Sequence, residues 1–136
     1  SKHSGYYCVT ASVNKVDFVN PVDVGKLLHL KASINYTGNT SMVVGLHVET
    51  EDIRTGEIKH CNSSYFTMVA KDDNGASVSV PGLILDSKES IRRFTRSVER
   101  QRQMNDRVEN FKPSEFKIND YIDLLEGQNI DIQFEF

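Results

Sequence analysis

Residues 27–48 read LLHLKASINYTGNTSMVVGLHV. Leu28, Leu30, Ala32, Ile34 and Tyr36 alternate with more polar neighbours, and this period of two marks a strand with one face toward a core. Gly38 and Asn39 interrupt the alternation, and Met42, Val44, Leu46 and Val48 resume it. The stretch therefore predicts a long antiparallel hairpin turning around Thr37 to Ser41. Glycine makes a positive backbone angle inexpensive at such a turn, and asparagine tolerates one.

The same pattern extends in both directions. Val9 to Phe18 precedes the hairpin as a strand, and Ile58 to Ala70 follows the Met42 to Asp52 strand after a second turn containing Thr55 and Gly56. On the last of these strands Tyr65, Thr67 and Val69 face one way, and Ser64, Phe66, Met68 and Ala70 the other. Bulk on both faces predicts an interior strand. These strands, about 9–13 residues long against the usual ~5–6, need something broad to lie against. Lys71 to Gly75 reads as a charged turn, and Ala76 to Val80 as a short final strand stopped by Pro81, which lacks an amide donor.

A helix is predicted from Lys88 to about Glu109, capped by Asp86 or Ser87. Ile91, Phe94, Val98, Gln101, Met104 and Val108 form one narrow seam, and Arg92, Arg93, Arg96, Arg100, Arg102 and Arg107 cover much of the rest. A helix with so little to bury is expected across a sheet edge or against a partner. Beyond it, Phe111, Phe116, Ile118, Tyr121, Ile122, Leu124 and Leu125 can dock on something, and Ile130, Ile132, Phe134 and Phe136 alternate as a last strand. Disorder is the alternative for Asn110 to Lys117. The expected organisation is a domain over residues 1–109 and a C-terminal extension over 110–136.

Composition narrows the function. The 136 residues carry 16 basic and 19 acidic side chains for a net charge of -3, which gives no overall field for nucleic acid. The arginines also alternate with Glu89, Glu99, Asp106 and Glu109. No long apolar run or leader pattern is present, so neither a membrane span nor secretion is expected. Cys8 and Cys61 are too few for a disulfide scaffold or a cysteine-rich zinc site and suit a reducing, cytoplasmic compartment. His3, His29, His47 and His60 form no short metal motif, although His47 and Glu49 share a strand face. No metal or cofactor is expected.

Several stretches, in order, resemble the acyl-coenzyme A thioesterases of the hotdog fold, in the broad acyl-CoA hydrolase group. They are His3-Ser4, residues 9–13, Val16-Asp17-Phe18, residues 21–25, residues 36–42, Glu51-Asp52 with Thr55-Gly56-Glu57, residues 64–70, Val80-Pro81, and the helix with Arg92-Arg93-Phe94. The resemblance covers residues 3 to 104. It implies an α+β, hotdog-like antiparallel sheet, hydrolysis of fatty acyl-CoA to free acid and coenzyme A, and assembly as a homodimer or a larger homo-oligomer such as a hexamer. In that family an N-terminal strand, a glycine-containing loop and a long central helix precede the region matching His3, and catalytic residues lie there. That helix is absent from this sequence, so no catalytic residue is carried over. The expectation is that the catalytic groups lie upstream of Ser1, or that the protein is incomplete as an enzyme and serves as a noncatalytic acyl-CoA-binding or oligomerisation module.

Thioester hydrolysis needs a base or polar group to position water, and donors for the developing oxyanion. Asp17, Asp23, Glu49, Glu51 and Asp52 are the acids at hand, but their spacing supplies no local catalytic set. Asp17 reads as structural or solvent-facing. The hairpin Gly38, Asn39, Thr40 and Ser41 offers close backbone approach and three polar side chains, which suits pantetheine amides or phosphate oxygens, although a plain turn explains it as well. The resemblance adds that coenzyme A lies along the sheet and subunit boundary, and that Asn39 stands where a basic residue is often found. Arg92, Arg93 and Arg96 supply the missing charge, since planar guanidinium donors pair bidentately with phosphate; the alternative is a solvated helix face.

Overall fold

The computed structural model describes residues 1–110 and 112–133. Four strands, β1 (Tyr7–Phe18), β2 (Leu27–Thr37), β3 (Ser41–Glu51) and β4 (Ile58–Lys71), form one antiparallel sheet in the order β1-β4-β3-β2. Both predicted hairpins are formed, and β4 is an interior strand, as the bulk on its two faces requires. Asp52, read as strand, leaves the ladder. Its Oδ1 instead accepts the Arg54 amide at 2.9 Å and the Thr55 amide at 3.3 Å, which closes the β3–β4 turn.

The register separates the sheet into two chemically different faces. Directly paired residues share a face, and the pairings across β1, β4, β3 and β2 stack Phe18-Asn62-Val48-Leu30, Val16-Ser64-Leu46-Ala32, Val13-Phe66-Val44-Ile34 and Thr10-Met68-Met42-Thr37 on one side. The other side carries Asp17-Ser63-His47-Lys31, Lys15-Tyr65-Gly45-Ser33 and Ser12-Thr67-Val43-Tyr36. Burial is concentrated on the interior strands, at Met42, Val43, Val48, Cys61 and Ala70. Toward the edges the apolar side opens: Val13 is 56% exposed, Leu30 62% and Phe18 83%.

Helix α1 (Lys88–Asn110) begins where the sequence places it. The Ser90 amide donates to Ser87 Oγ and the Ser87 amide to Ser90 Oγ, both at 3.1 Å, a reciprocal cap of the first turn. In its first half the Phe94 ring meets Tyr36 of β2 at 4.9 Å between centroids. Tyr36 belongs to β2, an edge strand, so this contact lies at the sheet edge, where the helix was expected. Phe94 and Ser97, the latter buried, turn inward, while Ile91 and Val98 of the predicted seam stay about half exposed.

The strand predicted at Ala76 to Val80 is also corrected. Asp72 closes a tight turn, its amide donating to the Ala76 carbonyl at 2.9 Å and its Oδ1 accepting the Asn74 and Ala76 amides. Only a single bridge, Lys71 to Ser77, remains before the segment crosses away. Val78 donates to the Ala70 carbonyl and Val80 to that of Asn39, so the chain is tied to two different elements instead of continuing one ladder.

The chain divides into two compact units, Ser1–Glu99 and Arg100–Phe136. The second contains the latter part of α1, short 3-10 helices at Pro113–Glu115 and Ile118–Tyr121, and a single helical turn α2 (Ile122–Leu125). Within it the Phe116 and Tyr121 rings stack at 5.2 Å. Ile130 and Ile132 lie in no strand, because Ile130 donates locally to the Gln128 carbonyl; Phe111, Phe134 and Phe136 lie outside the described residues. Among the described residues no helix is long and apolar enough to cross a membrane.

Candidate functional site

The hairpin Gly38, Asn39, Thr40 and Ser41 is held at its base and at its tip. The Gly38 amide donates to the Ser41 carbonyl at 2.8 Å. The Thr40 carbonyl accepts the Ala70 amide at 3.1 Å, and Asn39 is doubly engaged: its carbonyl by the Val80 amide at 2.8 Å and its Oδ1 by Ser79 Oγ at 3.1 Å. The Asn39 amide nitrogen is left pointing outside these contacts, and the Thr40 and Ser41 hydroxyls make no hydrogen bond among the described residues. Neither Gly38 nor Asn39 adopts a positive φ, so the turn does not use the backbone freedom these residue types offer. The constraint on Gly38 is one of space, since a Cβ there would lie 3.1 Å from Ser41 Oγ.

The arginines lie on the first turns of α1. Residues 89, 92, 93 and 96 share one side of a helix by their spacing. Glu89 Oε2 accepts Arg92 Nε at 2.8 Å, and its Oε1 accepts Arg92 Nη2 at 2.5 Å and Arg93 Nε at 3.0 Å. The Arg92 guanidinium, with help from Arg93, holds the Glu89 carboxyl at a pKa of about 2. Arg96 is exposed and makes no ion pair among the described residues. The Phe94–Tyr36 contact links this turn to the strand that leads into the hairpin. No hydrogen bond or ion pair joins Gly38, Asn39, Thr40 or Ser41 to Arg92, Arg93 or Arg96 among the described residues.

The acids belong to other structures. Asp17 pairs with Lys15 at 3.2 Å and is half exposed. Glu49 accepts Lys31 at 2.7 Å and His47 at 2.8 Å, and both bonds, that of Lys31 foremost, hold its pKa below the ordinary carboxylate value. Glu51 meets His29 at 2.7 Å. Asp52 is paired with Lys26 and held low by it and by the turn amides, and Lys26 is correspondingly raised. An open concavity of 440 Å³ lies beside this pair, lined by Val24, Gly25, Lys26, Asp52, Ile53 and Arg54, at the opposite end of β2 and β3 from the hairpin.

One association escapes sequence reasoning. His47 and His60 stack face to face, 4.1 Å between centroids and 5° from parallel, with His60 Nε2 2.8 Å from Ser63 Oγ. The ladder slips between Val48 and Glu49, so His60 pairs with Glu49 and comes to the face of His47. Among the described residues no group of three His, Cys, Asp or Glu side chains is placed to hold a metal ion.

Comparison with known proteins gives this architecture a family. Residues 1–57 match the Thioesterase superfamily. Protein VdlD of Helicobacter pylori is 48% identical over 99 residues, 70% of this chain and 56% of that protein, so the chain spans little more than half the length of this curated relative. The solved structure of an apo-hexameric acyl-CoA thioesterase superposes with a TM-score of 0.75 at 34% identity, covering 79% of this chain and 69% of that one. An acyl-CoA hydrolase from Staphylococcus aureus, in complex with butyryl coenzyme A, coenzyme A and coenzyme A disulfide, gives 0.70 at 32%, covering 80% and 67%. Strand order, hairpin sequence and these matches agree, and the chain belongs to the hotdog-fold acyl-coenzyme A thioesterases.

Proposed function

We propose that the protein carrying this chain hydrolyses fatty acyl-CoA to free fatty acid and coenzyme A. Water adds to the thioester carbonyl carbon, the C–S bond breaks, and the coenzyme A sulfur leaves with a proton. The observation that carries this reading is the likeness, over 80% of this chain, to a hydrolase solved with butyryl coenzyme A. The hairpin residues Gly38, Asn39, Thr40 and Ser41 are the proposed contact for pantetheine amides, because two hydroxyls and one amide nitrogen there remain outside internal contacts. Arg92, Arg93 and Arg96 are the proposed phosphate contacts. The acyl chain is proposed to lie on the apolar side of the sheet.

No catalytic residue is assigned. Glu49, Glu51 and Asp52 are each committed to a basic side chain, and Asp17 to Lys15. In this reading residues 1–109 form the thioesterase-like domain and 110–136 an extension, in a cytoplasmic homodimer or larger homo-oligomer such as a hexamer.

The test is hydrolysis of short- to long-chain acyl-CoAs by the full-length protein, followed by release of free thiol, with solution mass measured in parallel. Turnover that saturates with acyl-CoA is expected. Saturable coenzyme A binding without turnover on any chain length would replace the enzyme with an acyl-CoA-binding module, and a protein inert in both assays would leave a structural role.

A further inference from the structure

Six arginines lie along α1, yet Arg92 and Arg93 share a carboxylate one turn earlier. Glu89 takes Arg92 by the Nε/Nη2 edge and Arg93 by Nε alone. The Nη1 side of Arg92 and the whole Nη end of Arg93 fall outside this contact. A guanidinium gripped at Nε still presents its other donors in a fixed plane, which is the geometry that phosphate oxygens accept. We infer that Glu89 is a positioning residue: it aligns the Arg92 and Arg93 side chains along one side of the first turns of α1, with their Nη ends directed to a phosphate group of the ligand. The inference rests on the coenzyme A reading proposed above.

Two effects of the carboxylate oppose each other. Its charge subtracts from the field that attracts an anion, whereas its bonds remove rotamer freedom that the anion would otherwise have to freeze. Glu89, Arg92 and Arg93 are about half exposed, so the field between separated charges is screened by solvent and salt. The ordering comes from hydrogen bonds of 2.5–3.0 Å, far shorter than the screening length, and it acts on two long side chains at once. A shared anion also relieves the repulsion between guanidinium groups on adjacent residues. With its pKa near 2, Glu89 stays ionised throughout the range in which binding is measured.

Calorimetric titration of the full-length protein with coenzyme A and with 3′-dephospho-coenzyme A tests this, using Glu89→Gln, Glu89→Asp and Arg92→Gln. Glu89→Gln is expected to weaken coenzyme A binding by roughly 2- to 10-fold, the scale of freezing one rotamer-rich side chain. Glu89→Asp, which keeps the charge on a shorter arm, should recover part of that loss; a purely helix-stabilising role would move the melting temperature and leave affinity alone. A loss confined to coenzyme A assigns the pair to the 3′-phosphate, and an equal loss with both ligands assigns it to the pyrophosphate. Unchanged or tighter binding by Glu89→Gln, with Arg92→Gln weakened, overturns the positioning role alone. Coenzyme A binding that is indifferent to Arg92→Gln removes the arginine site and Glu89 with it, and failure of the unaltered protein to bind coenzyme A overturns the proposed function as well.

Discussion

The two sides of the sheet are made by the same four strands and are organised by different physics. The apolar side is ordered by area. Its burial is deepest on the interior strands, at Met42 and Val48, and falls away toward the edges, where Leu30 and Phe18 are exposed. The polar side is ordered by direction: Lys31, Glu49 and His47 are linked by hydrogen bonds, His47 stacks on His60, and Tyr36 receives Phe94 from α1. Non-directional burial leaves a surface open to any apolar occupant, whereas directional pairing specifies which neighbour fits. The substrate proposed above divides along the same line, its acyl chain assigned to the first side.

The contrast breaks most readily through truncations on the apolar side. Met42→Ala should cost about 2–5 kcal/mol in urea unfolding at fixed protein concentration, the transfer and cavity terms together. Leu30→Ala, on the same side but exposed, should cost about 0.5 kcal/mol or less. Equal losses at the two positions would mean that another chain or segment covers the apolar side in solution.

On the polar side the sharpest constraint is a close approach. A Cβ on Gly45 would lie 2.5 Å from Asn35 Nδ2, and Asn35 is buried with its Oδ1 accepting Ser33 Oγ at 2.8 Å. Gly45→Ala is expected to destabilise by roughly 1–3 kcal/mol, as overpacking does. Combining it with Asn35→Ala should cost less than the two single losses added, because the clash is shared. Additive losses in that cycle would show that the two residues do not meet.

The smallest effect expected is pH-dependent. Glu49, Asp52 and Glu89 all have carboxyl groups held below their ordinary values, Glu89 at about 2 against 4.5. A depressed carboxyl contributes stability that is present above its unfolded pKa and lost as pH falls through the folded one. Melting temperature should therefore be level between about pH 5 and about pH 9 and decline from pH 5 toward pH 2. Asp52→Asn should flatten part of that decline, since it removes the Lys26 pair and weakens the turn. An acid limb identical in the variant would detach Asp52 from it.

Much of the fold is legible in the residues, for a local reason. The alternation from Leu28 to Val48 is a strand period, and Ser87 followed by Ser90 supplies a helix start. The readings that changed concern long-range partners. The segment 76–80 has strand composition, but its amides go to Ala70 and Asn39, a division that no local pattern encodes. The seam Ile91, Phe94 and Val98 predicts a buried stripe; only Phe94 finds a ring to meet, because the side of the sheet that α1 contacts is the polar one. Of the candidate site, the hairpin and the arginines could be named from residue type, but the commitment of Arg92 and Arg93 to Glu89 is a matter of rotamers.

Periodicities of two and 3.6 along the chain are enough to place the four long strands, their two hairpin turns and the start of α1, and to make one side of the sheet apolar. Only the tertiary structure decided which polar groups meet. A slip in the ladder between Val48 and Glu49 carries His60 onto the face of His47, and another between Ile34 and Tyr36 turns Tyr36 toward α1. One extra residue in a strand reverses the side on which every later side chain falls, and the pairing strand that makes the slip visible lies elsewhere in the chain.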